Sequence, residues 1–433
     1  MRTLPSRRPP AAPSPSAPSP VRQPAPVPAA AREWAGQELL ASPETAQVFN
    51  AAWSGDAAVL VPSPPGAGKT RLITLLAAAL ADRAEMRVGI AAQTVEQAVE
   101  IARRAGRLDC RAILMWSGRK QPPSSGGTPA VSGAKIKFPS DKGGIIIGTT
   151  ARWIYCEPAA LGCDVMLVDE AWQLTYADLG ALGAFAGQVV CVGDPGQIAP
   201  VVTGATTRWA GSPHGPHVAA PAALQAAYGD AVTVVPLPHT WRLGPESTAL
   251  VQPVFYADLP FGSKRPPEHV TGQSGPLPEI GHRTLTATGG PADPAMTGAC
   301  ADRVRELLAG HHLTTTGGTR PLDAADIAVV TAHVNQAGAV RALLADEPDI
   351  LVGTANQLQG LERPAVVVLH PLAGYREAGS AFGADVGRAC VMLSRHRAHL
   401  TVIIDDCAAV PADDPSEAAH AELLTRLLAS PVV

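Results

Sequence analysis

Ser63-Pro64-Pro65-Gly66-Ala67-Gly68-Lys69-Thr70 is the stretch from which the fold can be read. Val59-Leu60-Val61 lead into it, and Leu72-Ile73-Thr74-Leu75-Leu76 lead out. A short apolar strand, a glycine-bearing turn, a Lys-Thr pair and then a helix make a phosphate-binding loop. Backbone N–H groups at a helix N-terminus carry partial positive charge and point at a bound anion. Gly66 and Gly68 have no Cβ, so the chain turns tightly and approaches a ligand closely. Lys69 sets a point charge on the β- and γ-phosphates, and the Thr70 hydroxyl reaches Mg²⁺. Pro65, Ala67 and Arg71 complete the segment expected to line the nucleotide. Ser63 departs from the glycine that usually opens such a loop.

Two further strand ends carry chemistry. Val165-Met166-Leu167-Val168 runs into Asp169-Glu170. Asp169 is placed to hold Mg²⁺ beside Thr70, and Glu170 to orient or deprotonate a water. Val190-Cys191-Val192 runs into Gly193-Asp194-Pro195-Gly196-Gln197, where an uncharged amide can bond a γ-phosphate and register its loss.

The chain has 433 residues, enough for two or three domains, and its formal net charge is −4. A nucleic-acid partner therefore requires a local basic patch. The seven cysteines are odd in number and none has C-x-x-C spacing, which fits reduced thiols in a cytoplasmic protein. The sequence contains no run of apolar residues long enough for a membrane span, and the N-terminus lacks the apolar segment of a secretory signal.

Residues 1–32 are rich in Pro, Ala and Ser, with five arginines and no acid, and read as a disordered tail available to a protein partner. From 33 to 208, strands at 58–62, 88–92, 112–115, 144–148, 165–168 and 189–192 alternate with helices at 70–83, 94–105 and 176–184. Such alternation argues a parallel sheet covered on both faces. A second alternation, assigned to 209–408, has strands at 232–236, 327–330, 350–353, 365–369 and 400–404 and helices at 246–255, 297–309 and 334–345. It carries no phosphate loop, which suggests a nucleotide cleft between two α/β units. Pro/Gly-rich 258–295 and 310–323 read as surface excursions, and 409–433 as an acidic C-terminal segment.

The order of these motifs resembles superfamily 1 helicases, in the 5′-to-3′ branch related to the nonsense-mediated-decay helicase and RecD-type enzymes. Ser63–Thr70, Asp169-Glu170-Ala171-Trp172-Gln173 and Gly193–Gln197 resemble that family's first three motifs. Gln47 lies where the family keeps an adenine-reading glutamine, and Ala91–Val99 and Gly148–Ala151 resemble its next strand-end motifs. Thr240-Trp241-Arg242-Leu243-Gly244-Pro245, followed by Phe255-Tyr256, resembles its Tyr-Arg-Met motif. Val352–Glu362 and Val391–Arg397 resemble motifs V and VI. The resemblance implies an α/β fold of two tandem RecA-like P-loop domains with an ATP cleft between them. It implies Arg242 and Arg395 as arginine fingers, with Gly360 and Glu362 near the nucleotide. Trp172 and Cys390 depart from the family pattern.

The same resemblance puts Thr94, Thr149, Thr150, Thr331 and Thr354 against the backbone of a single strand. Those hydroxyls also suit helix N-caps, and the sequence leaves both readings open. Between 105 and 143, Arg107, Arg111, Arg119, Lys120, Lys135, Lys137 and Lys142 face only Asp109 and Asp141, a basic insertion in an acidic protein. These features lead to the expectation of an ATP- and Mg²⁺-dependent translocase or helicase on single strands, DNA rather than RNA, moving 5′ to 3′. The alternative is a nucleotide-gated nucleic-acid-binding or sensor ATPase without unwinding.

Overall fold

Apolar runs become buried strands. The computed structural model describes residues 34–117, 121–290, 292–374, 384–407 and 416–433, and the expected tail at 1–32 lies outside them. The first sheet contains β1 (Ala58–Pro62), β2 (Arg87–Ala92), β3 (Ala112–Met115), β4 (Ala130–Val131), β5 (Gly144–Thr149), β6 (Val165–Val168), β7 (Val189–Gly193) and β8 (Thr233–Val234). All eight strands pair in parallel, in the order β4-β3-β5-β2-β6-β7-β1-β8. Parallel strands covered on both faces read as continuous hydrophobic runs, which is how Val165-Met166-Leu167-Val168 comes to be buried along its whole length.

Smaller pieces follow: β9 (His239–Thr240) with β10 (Gly262–Ser263), then β11 (Glu268–Gly272) and β12 (Gly275–Pro276). The second sheet uses β13 (Ile280–Leu285), and β14 (His312–Thr315) and β15 (Gly318–Pro321) form a hairpin on β11. β16 (Ile327–Thr331), β17 (Leu351–Thr354), β18 (Arg363–Leu369) and β19 (His396–Asp405) complete the parallel order β13-β19-β18-β16-β17. Successive residues of this sheet serve opposite cores: Val329, Val367 and Ile403 on one face, Val330, Val368 and Val402 on the other.

The helices are α1 (Pro43–Ser54), α2 (Lys69–Arg83), α3 (Val95–Arg107), α4 (Thr150–Ile154), α5 (Pro158–Leu161), α6 (Tyr176–Leu182) and α7 (Ala220–Tyr228) around the first sheet. Around the second are α8 (Pro245–Phe255), α9 (Pro294–Leu308), α10 (Val334–Leu343), α11 (Val386–Leu393) and α12 (Glu417–Leu428). Ala35–Val433 forms one body. Among the described residues no helix is long and apolar enough to cross a membrane.

Five expectations are corrected. The strand expected at 232–236 to open the second unit is β8, on the edge of the first sheet, where Val235 N–H donates to Leu60 O at 2.8 Å. Ala220, Leu224 and Val232 also lie in the first core, so the first lobe extends well past 208. The excursion read at 258–295 contains β13, whose alternating polar sequence gave no strand-length apolar run; the long partner β19 supplies its pairing. The excursion read at 310–323 contains the β14–β15 hairpin. The acidic segment read at 409–433 contains α12, which buries Leu423 and Leu427 in the second core, while 409–415 lies outside the described residues.

The Asp293 cap shows how the second lobe secures its surface helices. One carboxylate oxygen accepts from the N–H groups of Ala295 and Met296, and the other accepts from Thr288 N–H, Thr288 hydroxyl and Gly289 N–H. The side chain is sealed by its own loop rather than by deep protein. Burial opposes ionisation, but the bonds from Thr288, Met296 and Gly289 outweigh it and hold the carboxyl at about 2. Because this value lies below that of an unfolded aspartate, the stabilisation is present above about pH 4. It fades as pH falls towards 2. Asp293→Ala is expected to cost about 1–2 kcal/mol at neutral pH. Urea melts should show that deficit shrinking between about pH 4 and 2.

Candidate nucleotide site

The phosphate loop sits at the C-terminal edge of the first sheet, where parallel α/β sheets bind ligands. Ser63 replaces the usual glycine without strain because its backbone needs no left-handed φ. It is buried, and both its N–H and its hydroxyl donate to Gly193 O, at 2.9 and 2.8 Å. Gly66 and Gly68 do take positive φ, +73° and +86°. Gly68 caps α2, so Lys69 and Thr70 begin that helix with its first N–H groups facing the cleft. The segment after β8 straps the loop: Thr240 Oγ1 donates to Pro65 O at 2.6 Å and Trp241 N–H to Gly66 O at 2.9 Å. Gly66, Ala67, Gly68, Lys69, Thr70 and Arg71 line a cleft of about 810 Å³, whereas Pro65, expected with them, is buried and not among its lining residues.

Carboxylates crowd around Lys69. Its Nζ lies 4.0 Å from Glu170 Oε1 and 3.7 Å from Asp194 Oδ2. Thr70 Oγ1 donates to Asp169 Oδ2 at 3.5 Å. Burial, and then the Glu170 charge, push Asp169 up to about 7 against the opposing pull of Lys69. Burial also raises Asp194, opposed by Lys69 and by the Tyr256 hydroxyl. Three carboxylates sharing one ammonium fit a divalent cation, and Thr70 with Asp169 offers it hard oxygen ligands. Glu170 takes φ +50°, a left-handed conformation uncommon for a residue with a Cβ and concentrated at functional sites.

The opposing wall comes from the second lobe. Arg242 Nε lies 2.5 Å from Glu362 Oε2, and Arg397 lies 3.4 Å from the other oxygen of Glu362. Burial raises Glu362, but Arg242 and then Arg397 bring it net below the usual carboxylate range. Arg395 is almost fully buried, bonded to Val391 O at 3.0 Å and Ser394 Oγ at 3.0 Å. Among the described residues it has no carboxylate partner within 4.0 Å, and burial, then Arg242, push it down to about 10. Gln197, Gly360, Glu362, Arg242 and Arg395 line the same cleft as Lys69, Thr70, Asp169 and Glu170.

Of the other expected residues Thr94 also lines this cleft, and the rest described stand elsewhere. Gln47 is exposed on α1 and does not line the cleft. Thr94 and Thr149 accept from Gln97 N–H and Arg152 N–H as N-caps of α3 and α4. Thr150, Thr331 and Thr354 are buried; the first two donate to Ala92 O and His333 O, and Thr354 accepts from Gln357 N–H. The five hydroxyls expected on a nucleic-acid backbone thus each make a local bond, because hydroxyls at strand ends also satisfy helix starts. Lys135 and Lys137 are exposed, and Arg119 and Lys120 lie outside the described residues. The described part of the insertion packs on the sheet edge: β4 pairs β3, and Thr128 Oγ1 donates to Ala102 O at 2.8 Å.

Two further cleft-lining positions were not assigned from sequence. Trp241, 56% exposed, lines the cleft beside Arg242. Gln359 Nε2 reaches Gln197 Oε1 across the cleft at 3.4 Å. Both sit inside motifs that the sequence displays, so adjacency was the available signal.

Residues 41–219 match the family model described as an AAA domain. The loop and its strand–helix frame are those of a P-loop nucleotide-binding domain. No curated protein sequence matches the chain. Similar solved structures include the helicase of PRRSV, with 16% identity and TM-score 0.43, covering 83% of this chain and 54% of that one. Arterivirus nonstructural protein 10 (helicase) has 15% identity and TM-score 0.45, covering 86% and 64%. The same viral protein in complex with DNA has 14% identity and TM-score 0.45, covering 82% and 63%. The chain therefore spans less than two thirds of the length of these structures.

The two loop glycines should respond differently to a methyl group. A Cβ on Gly66 would lie 2.3 Å from Arg242 Cβ, whereas one on Gly68 would meet nothing within 4 Å. Gly68→Ala should cost about 1–2 kcal/mol, the left-handed backbone cost alone. Gly66→Ala should cost clearly more and displace the 240–242 strap. Equal losses in thermal denaturation would contradict this account.

Proposed function

We propose that the chain is an ATP- and Mg²⁺-dependent nucleic-acid translocase or helicase of the superfamily 1 type, acting on single strands. One observation carries the reading: Lys69, Thr70, Asp169, Glu170 and Gln197 from the first lobe face Arg242 and Arg395 from the second across one cleft. A cleft of this kind makes hydrolysis depend on how two lobes are seated, and hydrolysis can in turn move them.

The phosphates would lie on the α2 N-terminus, with Lys69 and the two arginines on their oxygens. Arginines supplied to a transferring phosphate are worth about 10³–10⁵ in rate. Thr70 and Asp169 would hold the magnesium ion, which neutralises charge on the phosphate oxygens when bound. Glu170 orients the attacking water and accepts its proton, and Gln197 bonds the terminal phosphate. Trp241 offers an aromatic face to the base. Lys135 and Lys137 provide exposed charge for a strand, DNA is favoured over RNA as that strand, and movement from 5′ to 3′ follows the motif resemblance. The seven free thiols suit a reducing, cytoplasmic setting.

Lys69→Ala should abolish ATP turnover. Glu170→Gln should lower it by about 10²–10⁴ while still binding ATP. Full hydrolysis by Glu170→Gln would remove its assigned role. Stimulation of the ATPase by single-stranded DNA and RNA, titrated at several salt concentrations, identifies the track. Lys135→Ala with Lys137→Ala should reduce the slope of log K against log salt by about 1.4 if each lysine neutralises one phosphate. Forked DNA with tails of either polarity tests direction: unwinding only from a 3′ tail would reverse it, and strand-stimulated hydrolysis without unwinding would favour the sensor reading.

A further inference from the structure

The turn Gly193–Gln197 ends β7 and carries Gln197 into the cleft, yet both lobes grip it. A Cβ on Gly193 would meet the Trp172 ring at 2.8 Å, and one on Gly196 would meet the Tyr256 ring at 2.5 Å. A Cβ on Gly387, in α11, would lie 2.6 Å from Gln197 O. Ile198 is buried in the second lobe's core with Leu250 and Met392. The turn cannot shift without moving α8 and α11.

At its centre Asp194 is buried and accepts from Gly196 N–H at 3.1 Å, Gln197 Nε2 at 2.6 Å and the Tyr256 hydroxyl at 2.7 Å. Lys69 Nζ lies 3.7 Å from the same carboxylate. The Tyr256 oxygen is also 3.1 Å from Cys390 Sγ, so a thiol on α11 can donate to the phenol that donates to Asp194. Tyr256 and Cys390 belong to the second lobe, and Asp194 and Lys69 to the first.

We infer that Tyr256 is a positioning residue for nucleotide binding: its hydroxyl satisfies Asp194 from the opposite lobe, so that Lys69 is free to turn to the phosphates. This rests on the nucleotide-hydrolysing reading above. A nucleotide must take Lys69 from Asp194. With Tyr256 in place, the buried carboxylate that loses its cation keeps three donors. Without that hydroxyl, Asp194 holds Lys69 more tightly and the nucleotide competes less well. Affinity then depends on the seating of α8, although Tyr256 does not line the nucleotide cleft.

Tyr256→Phe keeps the ring against Gly196 and removes only the bond. Equilibrium binding of a fluorescent ATP analogue should weaken by about tenfold, the scale of one charge-assisted bond. KM should rise in parallel, with kcat within about twofold of the parent. Asp194→Asn removes the competing charge, so Tyr256→Phe in that background should change affinity by less than about twofold. Unchanged binding in Tyr256→Phe, or an equal loss in the Asp194→Asn background, overturns the inference. A loss confined to kcat also overturns it. If the unaltered protein neither binds nor hydrolyses ATP, the functional reading itself fails. If it does both and Tyr256→Phe behaves like it, only this inference fails.

Discussion

The structure depends on charges that do not balance within either lobe. On the first wall, Glu170 and Asp194 flank the ammonium of Lys69, and Asp169, bonded by Thr70, feels the same charge. On the second, Arg242 and Arg397 share Glu362, Glu268 also holds Arg397, and Arg395 is buried against a carbonyl and a hydroxyl with no carboxylate partner among the described residues. Burying a charge without a partner is costly, and real sites resolve the cost by pairing or by shifting protonation. Both responses are visible here, in the raised Asp169 and the lowered Arg395. A polyphosphate with a divalent cation complements both walls at once, the cation against the carboxylates and the anion against the guanidinium groups.

Topology explains why the walls differ in sign. The first sheet presents its C-terminal edge: the phosphate loop follows β1, Asp169 follows β6, and the Gly193–Gln197 turn ends β7. Helix N-termini gather at that edge and favour anions. The second sheet presents its opposite edge, because Glu362 immediately precedes β18 and Arg395 immediately precedes β19. There the side-chain guanidinium groups of Arg242 and Arg395 supply the positive charge that faces the cleft. An arrangement of this kind needs both sheets, which is why the second alternation carries no phosphate loop of its own.

Much of this was legible in the sequence, for identifiable reasons. The central strands of both sheets are buried on two faces, so β2, β5, β6, β16 and β18 are written as unbroken apolar runs. Edge strands are not. β8 is only two residues long and β13 alternates with polar residues, so neither betrays which sheet it joins. Residues of the nucleotide site stood in motifs whose spacing constrains geometry. Most of the threonines also stand in motifs, but a hydroxyl at a strand end serves equally as a helix cap, and burial of Thr150, Thr331 and Thr354 is a tertiary fact. Gln47 stands exposed on α1 and outside the cleft lining, and its distance along the chain from Ser63 does not determine which face of α1 it occupies.

Ser63 shows how the departures fit together. Its hydroxyl and N–H both bond Gly193 O, so the start of the phosphate loop is tied to the start of the turn that carries Asp194 and Gln197. A glycine at 63 would keep the N–H bond and lose the other. Trp172 then packs over Gly193 and Tyr256 over Gly196, which leaves room for glycine alone at both positions. Serine at 63, tryptophan at 172 and cysteine at 390 therefore lie along one contiguous path, from the loop that holds phosphate to α11 of the second lobe. Such a path is short, buried and made of direct contacts. On the function proposed above, a change at the phosphates would meet little slack before it reached the second lobe.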